Sequence, residues 1–397
     1  MSAPLRRLAW WAAGAAMALG LAALCVRLFL QYLSRPDLDQ GLHVLFTRQL
    51  LDEGTLLPHF LYHLLVALVA GLSEDTGALT FAATLVLTAL VLLKLVVSLL
   101  VLRQLAARAG APLGPPAALA LALAFFFVAP LPTWWEPENI YLGQLSPTVW
   151  HNPTAITALP LALASFWVLL GSGSLLRLSV NKPEAAGVSL GRALAAGGLL
   201  ALSVTAKPNF ALAFLPAVFV LWLLQRRLSP LRLLLLGLPA LGVLAWQYLH
   251  AISSGLEARG AGLVLLRPLS VWRLYSPHPL VSGLVSLAFP LAVLAFARRD
   301  LRHRQPLAAA WLLTLVALAE FALLAEPEPR TGDANYYWGL VPATYLLFLL
   351  SAAELLAPRP LPGRRRLARL GCWLLLLLHA ASGIVLYAVP FQLAVAD

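Results

Sequence analysis

Charge and cysteine are what this 397-residue chain has least of: two cysteines, and 11% charged residues against 61% hydrophobic ones. A soluble domain carries roughly a quarter charged residues, and no water-soluble fold could hide this much apolar surface. Cys25 and Cys372 both lie inside apolar runs, which excludes a disulfide framework and a cysteine-built metal site. The sequence has no Walker loop, dinucleotide fingerprint, nucleophile elbow or HExxH, which disfavours an ATP-driven pump and a membrane protease. Internal repeats of the transporter kind are not evident either. The formal net charge is +11, but the basic residues come in short clusters between apolar runs rather than in one stripe. The charge therefore reads as membrane topology, and nucleic acid is not an expected partner.

A membrane span needs about 20 mostly apolar residues. Runs of that kind occur near 9–31, 78–102, 115–131, 154–171, 190–206, 209–225, 231–250, 279–297, 306–325, 338–357 and 370–390. The expected fold class is all-α: one polytopic transmembrane domain over 1–397 with about 11 spans, the first of them an uncleaved signal anchor behind Arg6 and Arg7. The stretch 56–72 is apolar but short, begins near Pro58 and carries His59 and His63. It is expected to lie at the interface as a juxtamembrane helix, because counting it as a span would invert every later loop. With that register, basic clusters such as Arg226–Arg227, Arg298–Arg299 and Arg364 to Arg366 gather on one side with two acids, Glu184 and Asp300. Thirteen of the 17 carboxylates gather on the other. The positive-inside rule then places the N-terminus inside and the C-terminus outside. Arg27, Lys94, Glu320 and Glu354 fall within spans, where snorkelling to the interface is the expectation.

The chemistry must then use the outer loops, above all the first, 32–77, and the second, 132–153. The first opens with RPDLDQGLH, so Asp39 and His43 share a helical face, with Asp37 just ahead. A carboxylate held at the bilayer surface, its pKa raised by desolvation, is suited to act as a general base, although solvated incidental acids would look the same. His59 and His63 repeat the four-residue spacing; headgroup-facing histidines are expected ahead of half a metal site. Asp52, Glu53, Glu74 and Asp75 are expected to cap and bound the loop's helices. The second loop brings Glu136, Glu138, Asn139, Gln144, His151 and Asn152 together with Trp134, Trp135, Tyr141 and Trp150. That assortment fits sugar hydroxyls and an apolar sugar face, with an aromatic belt and a turn as the plainer alternative. Lys207 interrupts a long apolar stretch at an outer boundary, where a lipid phosphate would offset its cost. Arg259, Arg273 and Arg330 are further phosphate ligands, and Asn335 and Tyr336 further hydroxyl ligands.

The order of these features resembles the GT-C superfamily of polyprenyl-phosphate-sugar-dependent glycosyltransferases. The resemblance runs over most of the chain: a signal anchor before an acid-bearing loop (Asp37, Asp39), a Gly-x-x-x-Pro stretch with a juxtamembrane helix (Gly54, Pro58, Tyr62), a span ending in a basic turn (Arg103, Arg108), and Lys207-Pro208 before Arg226 and Arg227. It implies that Asp39 or Asp37 is the base and Lys207 a donor-phosphate ligand. The acidic pair of the mannosyltransferases is absent, since Leu38 follows Asp37 and Gln40 follows Asp39. The implied activity is inverting sugar transfer from a polyprenyl-phosphate donor to a glycan, lipid or protein acceptor on the non-cytoplasmic face, in a bacterial inner membrane. No cofactor is expected, with a divalent metal left open. A flippase or transporter of lipid-linked saccharides and an O-antigen polymerase or ligase are the competing readings.

Overall fold

The computed structural model describes residues 3–35, 38–135, 141–171, 188–225, 229–253, 264–297, 305–357 and 362–393. All eleven apolar runs are helical, in whole or in large part. In chain order the helices are α1 (Ala3–Leu33), α2 (Asp39–Glu53), α3 (Leu61–Val69), α4 (Thr76–Arg108), α5 (Pro115–Phe127), α6 (Pro153–Leu170), α7 (Leu190–Ala206) and α8 (Asn209–Gln225). They continue with α9 (Pro230–Ser253), α10 (Ser270–Tyr275), α11 (Pro279–Ser286), α12 (Ala288–Ala297), α13 (Gln305–Leu323), α14 (Leu340–Leu356) and α15 (Gly363–Leu393). Seven helices among the described residues are long and apolar enough to cross a membrane, or eight if α11 and α12, bent by 63°, form one span. The chain is thus a multi-pass integral membrane protein. α5, α7 and α8 are apolar but shorter. At 17 residues each, α7 and α8 rise about 25 Å, a little less than the roughly 30 Å hydrocarbon core.

The core is built around α14, buried on nearly all sides, as expected of a helix apolar all round. α6, α7 and α9 pack in sequence on one flank, α1 against α4, and α13 against α14 and α8. α7 and α9 cross closely because Gly197 has no Cβ: one built there would lie 2.4 Å from the Leu235 carbonyl oxygen.

The run expected to span 115–131 is a helix only to Phe127. Beyond it the chain is extended, and α15 satisfies its backbone: the Ala129 N–H donates to the His379 carbonyl (3.1 Å), the Ala129 carbonyl lies 2.6 Å from His379 Nδ1, and Ser382 Oγ donates to the Pro130 carbonyl (2.5 Å). Irregular backbone inside an apolar bundle needs such partners. Two further departures from the all-helical expectation are a two-residue antiparallel pair, β1 (Leu265–Leu266) with β2 (Leu324–Ala325), and 3-10 turns at Arg330–Asp333 and Asn335–Gly339.

Lys94 does not snorkel. It lies mid-helix in α4, 3% exposed, with its ammonium 4.9 Å from the Tyr345 ring centroid and 5.7 Å from that of Trp150. Asp75 does cap a helix: its Oδ2 accepts from the Ala78 N–H at 2.8 Å at the start of α4. α2 and α3 are the short helices expected between the first two long ones, and they pack on each other and on α4.

Candidate functional site

Asp39 begins α2, where a carboxylate complements the helix dipole. The helical register carries His43 to the same face, with its Nε2 3.7 Å from Asp39 Oδ1. Asp39 Oδ2 accepts from Asn152 Nδ2 at 3.1 Å. Asn152 is the N-cap of α6: its Oδ1 accepts from the Ala155 N–H (2.9 Å), from Thr154 Oγ1 (2.9 Å) and from Lys207 Nζ (3.3 Å). One buried asparagine thus caps a helix and joins a carboxylate to an ammonium.

Lys207 stands where α7 stops. Pro208 has no N–H to continue the helix and holds the preceding residue extended, at φ −162° and ψ 126°. The ammonium also donates to Thr154 Oγ1 (3.3 Å) and sits 4.7 Å from the Trp338 ring centroid. His151, beside Asn152, meets Tyr141 and Trp338 edge-on.

Burial dominates the electrostatics. The Asp39 carboxyl is pushed above the usual carboxylate range by desolvation, which outweighs the nearby Lys207 cation and the Asn152 hydrogen bond. The side chain still keeps 43% of its surface, so it stands at the rim of the cluster. Lys207 is pushed down to about 8 by burial, opposed by the Asp39 charge. His151 and His63 are pushed down to about 4 and His59 to about 3, in each case chiefly by burial, and His43 falls well below its ordinary value. The imidazoles are therefore neutral, and they surround one carboxylate and one ammonium.

His63 does not face headgroups. It is 1% exposed, with Nε2 3.2 Å from His43 Nδ1 and Nδ1 2.9 Å from Thr47 Oγ1. Among the described residues no group of three or more His, Cys, Asp or Glu side chains is arranged to hold a metal ion.

Most of the other expected ligands that the structure describes are engaged with other partners. Arg330 is spent on Glu326 (3.4 Å) and Asp333 (3.3 Å) within its own loop, and Arg273 is exposed at the end of α10. Asn335 donates to Glu326 (2.5 Å), its carbonyl accepts from Asn209 Nδ2 (2.6 Å), and Tyr336 is half-buried beside it. Gln144 is fully buried and donates to Thr133 Oγ1 (2.6 Å). Trp150 is buried against Phe29, Phe126 and Tyr387, and its carbonyl accepts from Gln40. Asp37, Glu136, Glu138, Asn139 and Arg259 lie outside the described residues. Sequence reasoning missed Trp338, Thr154 and Thr47. No local pattern marks them, because each acquires its role from a partner between 16 and 131 positions away.

No protein-family model matches the chain, and no curated protein matches it. Among solved structures, the crystal structure of the Archaeoglobus fulgidus oligosaccharyltransferase in the apo form aligns over 92% of this chain at 15% identity, with a TM-score of 0.39. This chain spans a little over half of that structure's length, 56%.

Proposed function

We propose that the protein is a membrane glycosyltransferase of the GT-C type, moving a sugar from a polyprenyl-phosphate donor to an acceptor on the non-cytoplasmic face with inversion. Asp39 is the base and Lys207 the phosphate ligand; Asp37, two residues earlier, is the alternative base. Support comes from one observation: a rim carboxylate with a raised pKa and a desolvated ammonium share Asn152 as a bridge, at 3.1 Å and 3.3 Å. The carboxylate takes the acceptor's proton as its oxygen attacks the anomeric carbon. The ammonium stabilises the negative charge that gathers on the departing phosphate. Because both groups are fixed before substrate arrives, little reorganisation opposes the step.

Lys94 favours the competing transport reading, since a cation deep in the bundle is what a flippase for lipid-linked saccharides would use. One experiment separates them. Purified protein in vesicles is supplied with radiolabelled undecaprenyl-phosphate-linked glucose, mannose or arabinose and a crude envelope acceptor fraction. The transferase reading expects label in the acceptor, lost in Asp39→Asn. Movement of intact donor between leaflets with no label in acceptor would overturn it in favour of transport.

A further inference from the structure

The histidine pair beside Asp39 has a proton order that its hydrogen bonds dictate. A hydroxyl carries one proton, and Thr47 Oγ1 gives it to the His43 carbonyl at 2.9 Å. The 2.9 Å contact between Thr47 Oγ1 and His63 Nδ1 must then be donated by the ring, so His63 is protonated on Nδ1 and bare on Nε2. His43 Nδ1, 3.2 Å from that bare nitrogen, is in turn the donor. A neutral His43 with its proton on Nδ1 has a bare Nε2, and this is the atom 3.7 Å from Asp39 Oδ1. Burial keeps both rings neutral, so the order is not scrambled by protonation. Thr47 is wholly buried, and a threonine there has no other evident task.

We infer that His43 Nε2 receives the proton that Asp39 removes from the acceptor, and that His63 and Thr47 are positioning residues that keep this nitrogen bare. The inference rests on the transferase reading above. In the transfer step the acceptor O–H bond breaks while its oxygen bonds the anomeric carbon. The electron pair of the sugar–phosphate C–O bond leaves with the phosphate, and the proton rests on Asp39 Oδ1. When the neutral carboxyl closes the 3.7 Å gap to hydrogen-bond distance, passing its proton to His43 Nε2 restores the carboxylate and makes an imidazolium, which gives the proton to water through the 13% of the His43 side chain that stays accessible. The groups facing His43 are Asp39 on its own helix, Tyr62 and His63 on α3, His59 in the turn before α3, and the Lys207 cation. Burial and the Lys207 cation both oppose a charged His43 ring, so the imidazolium is short-lived and the relay resets itself.

The test uses the full chain in nanodiscs. With 15N-labelled histidine, and His43 assigned from the signal lost in His43→Gln, the resting His43 is expected as the Nδ1–H tautomer, changing to a mixture in Thr47→Val and restored in Thr47→Ser. A resting Nε2–H tautomer would overturn the relay. That readout needs no turnover, so it stands apart from the transferase reading. In the undecaprenyl-phosphate sugar assay, His43→Gln is expected to lower kcat about 10- to 100-fold with KM unchanged, a portion of the general-base total. Thr47→Val is expected to lower it about fivefold, the scale of one lost hydrogen bond. In an Asp39→Asn background both effects should vanish; a full His43→Gln effect there would show that His43 does not act through Asp39.

Discussion

Lys207 and Arg330 are each a cation beside a proline between apolar spans, but Arg330 has Glu326, Glu328 and Asp333 within four residues while Lys207 has no acid within twenty, and the fold keeps that difference. Arg330 meets two carboxylates within its own loop, Glu326 and Asp333, at 3.4 Å and 3.3 Å. Lys207 is desolvated; among the described residues its ammonium meets neutral oxygens and an indole face, and Asp39 lies one asparagine away. A cation already paired with two carboxylates has its charge compensated within the protein. A desolvated cation with incomplete compensation favours an anion from outside. Uncompensated charge, rather than charge density, marks the candidate site.

That contrast is sharpest at the acids. Asp39→Asn is expected to lower kcat by about 10²- to 10⁴-fold, the usual share of a general base, whereas Asp333→Asn should stay within about twofold; a transfer assay on both variants checks this. At the cations, Lys207→Met should lower kcat/KM by about 10²- to 10³-fold, the scale of one lost preorganised donor. Arg330→Met should lower it only a few-fold, and equal losses in the two would erase the distinction.

The pH profile carries the same contrast at smaller amplitude. On the proposed assignment Lys207 binds phosphate while protonated, so kcat/KM should fall as pH rises through about 8, and Lys207→Arg should move that limb upward because a guanidinium does not lose its proton. On the acid side activity should rise with pH through a value above the usual carboxylate range, as Asp39 ionises. Arg330→Met should leave both limbs in place. The smallest effect is on stability: Asn152→Ala removes the α6 cap, and thermal unfolding should register a loss of about 1 kcal/mol, with Thr154→Ala affected less.

Much of the architecture was legible, because hydrophobic run length is a local property. All eleven runs became helical in whole or in large part, and the awkward stretch 56–72 resolved into the short α3. Where runs deceived, tertiary partners decided. The 115–131 run stops being helical at Phe127 because His379 and Ser382 on α15 supply the hydrogen bonds an extended backbone needs. Lys94 is buried under aromatic rings that lie about 60 and 250 positions along the chain.

The site divides in the same way. Asp39 and His43 were legible from their four-residue spacing, and Lys207 from its isolation. Sequence could not say that Trp150 would turn inward, or that His63 would dock on His43 instead of the bilayer surface. Those outcomes depend on which helix ends meet, and nothing within a few residues of each position encodes it. Asn152 is the plainest case: the sequence offered it as a ligand for sugar hydroxyls, whereas it caps α6, and its bridge between Asp39 and Lys207 appears only when α2 and α7 arrive on either side.

The central claim is that a base at Asp39 and a cation at Lys207 act on the two ends of one sugar-transfer step. Steady-state kinetics of Asp39→Asn and Lys207→Met with an undecaprenyl-phosphate-linked sugar tests it most directly. The account predicts a fall in kcat at near-unchanged KM for the first and a fall in kcat/KM for the second. Wild-type kcat in Asp39→Asn would contradict it.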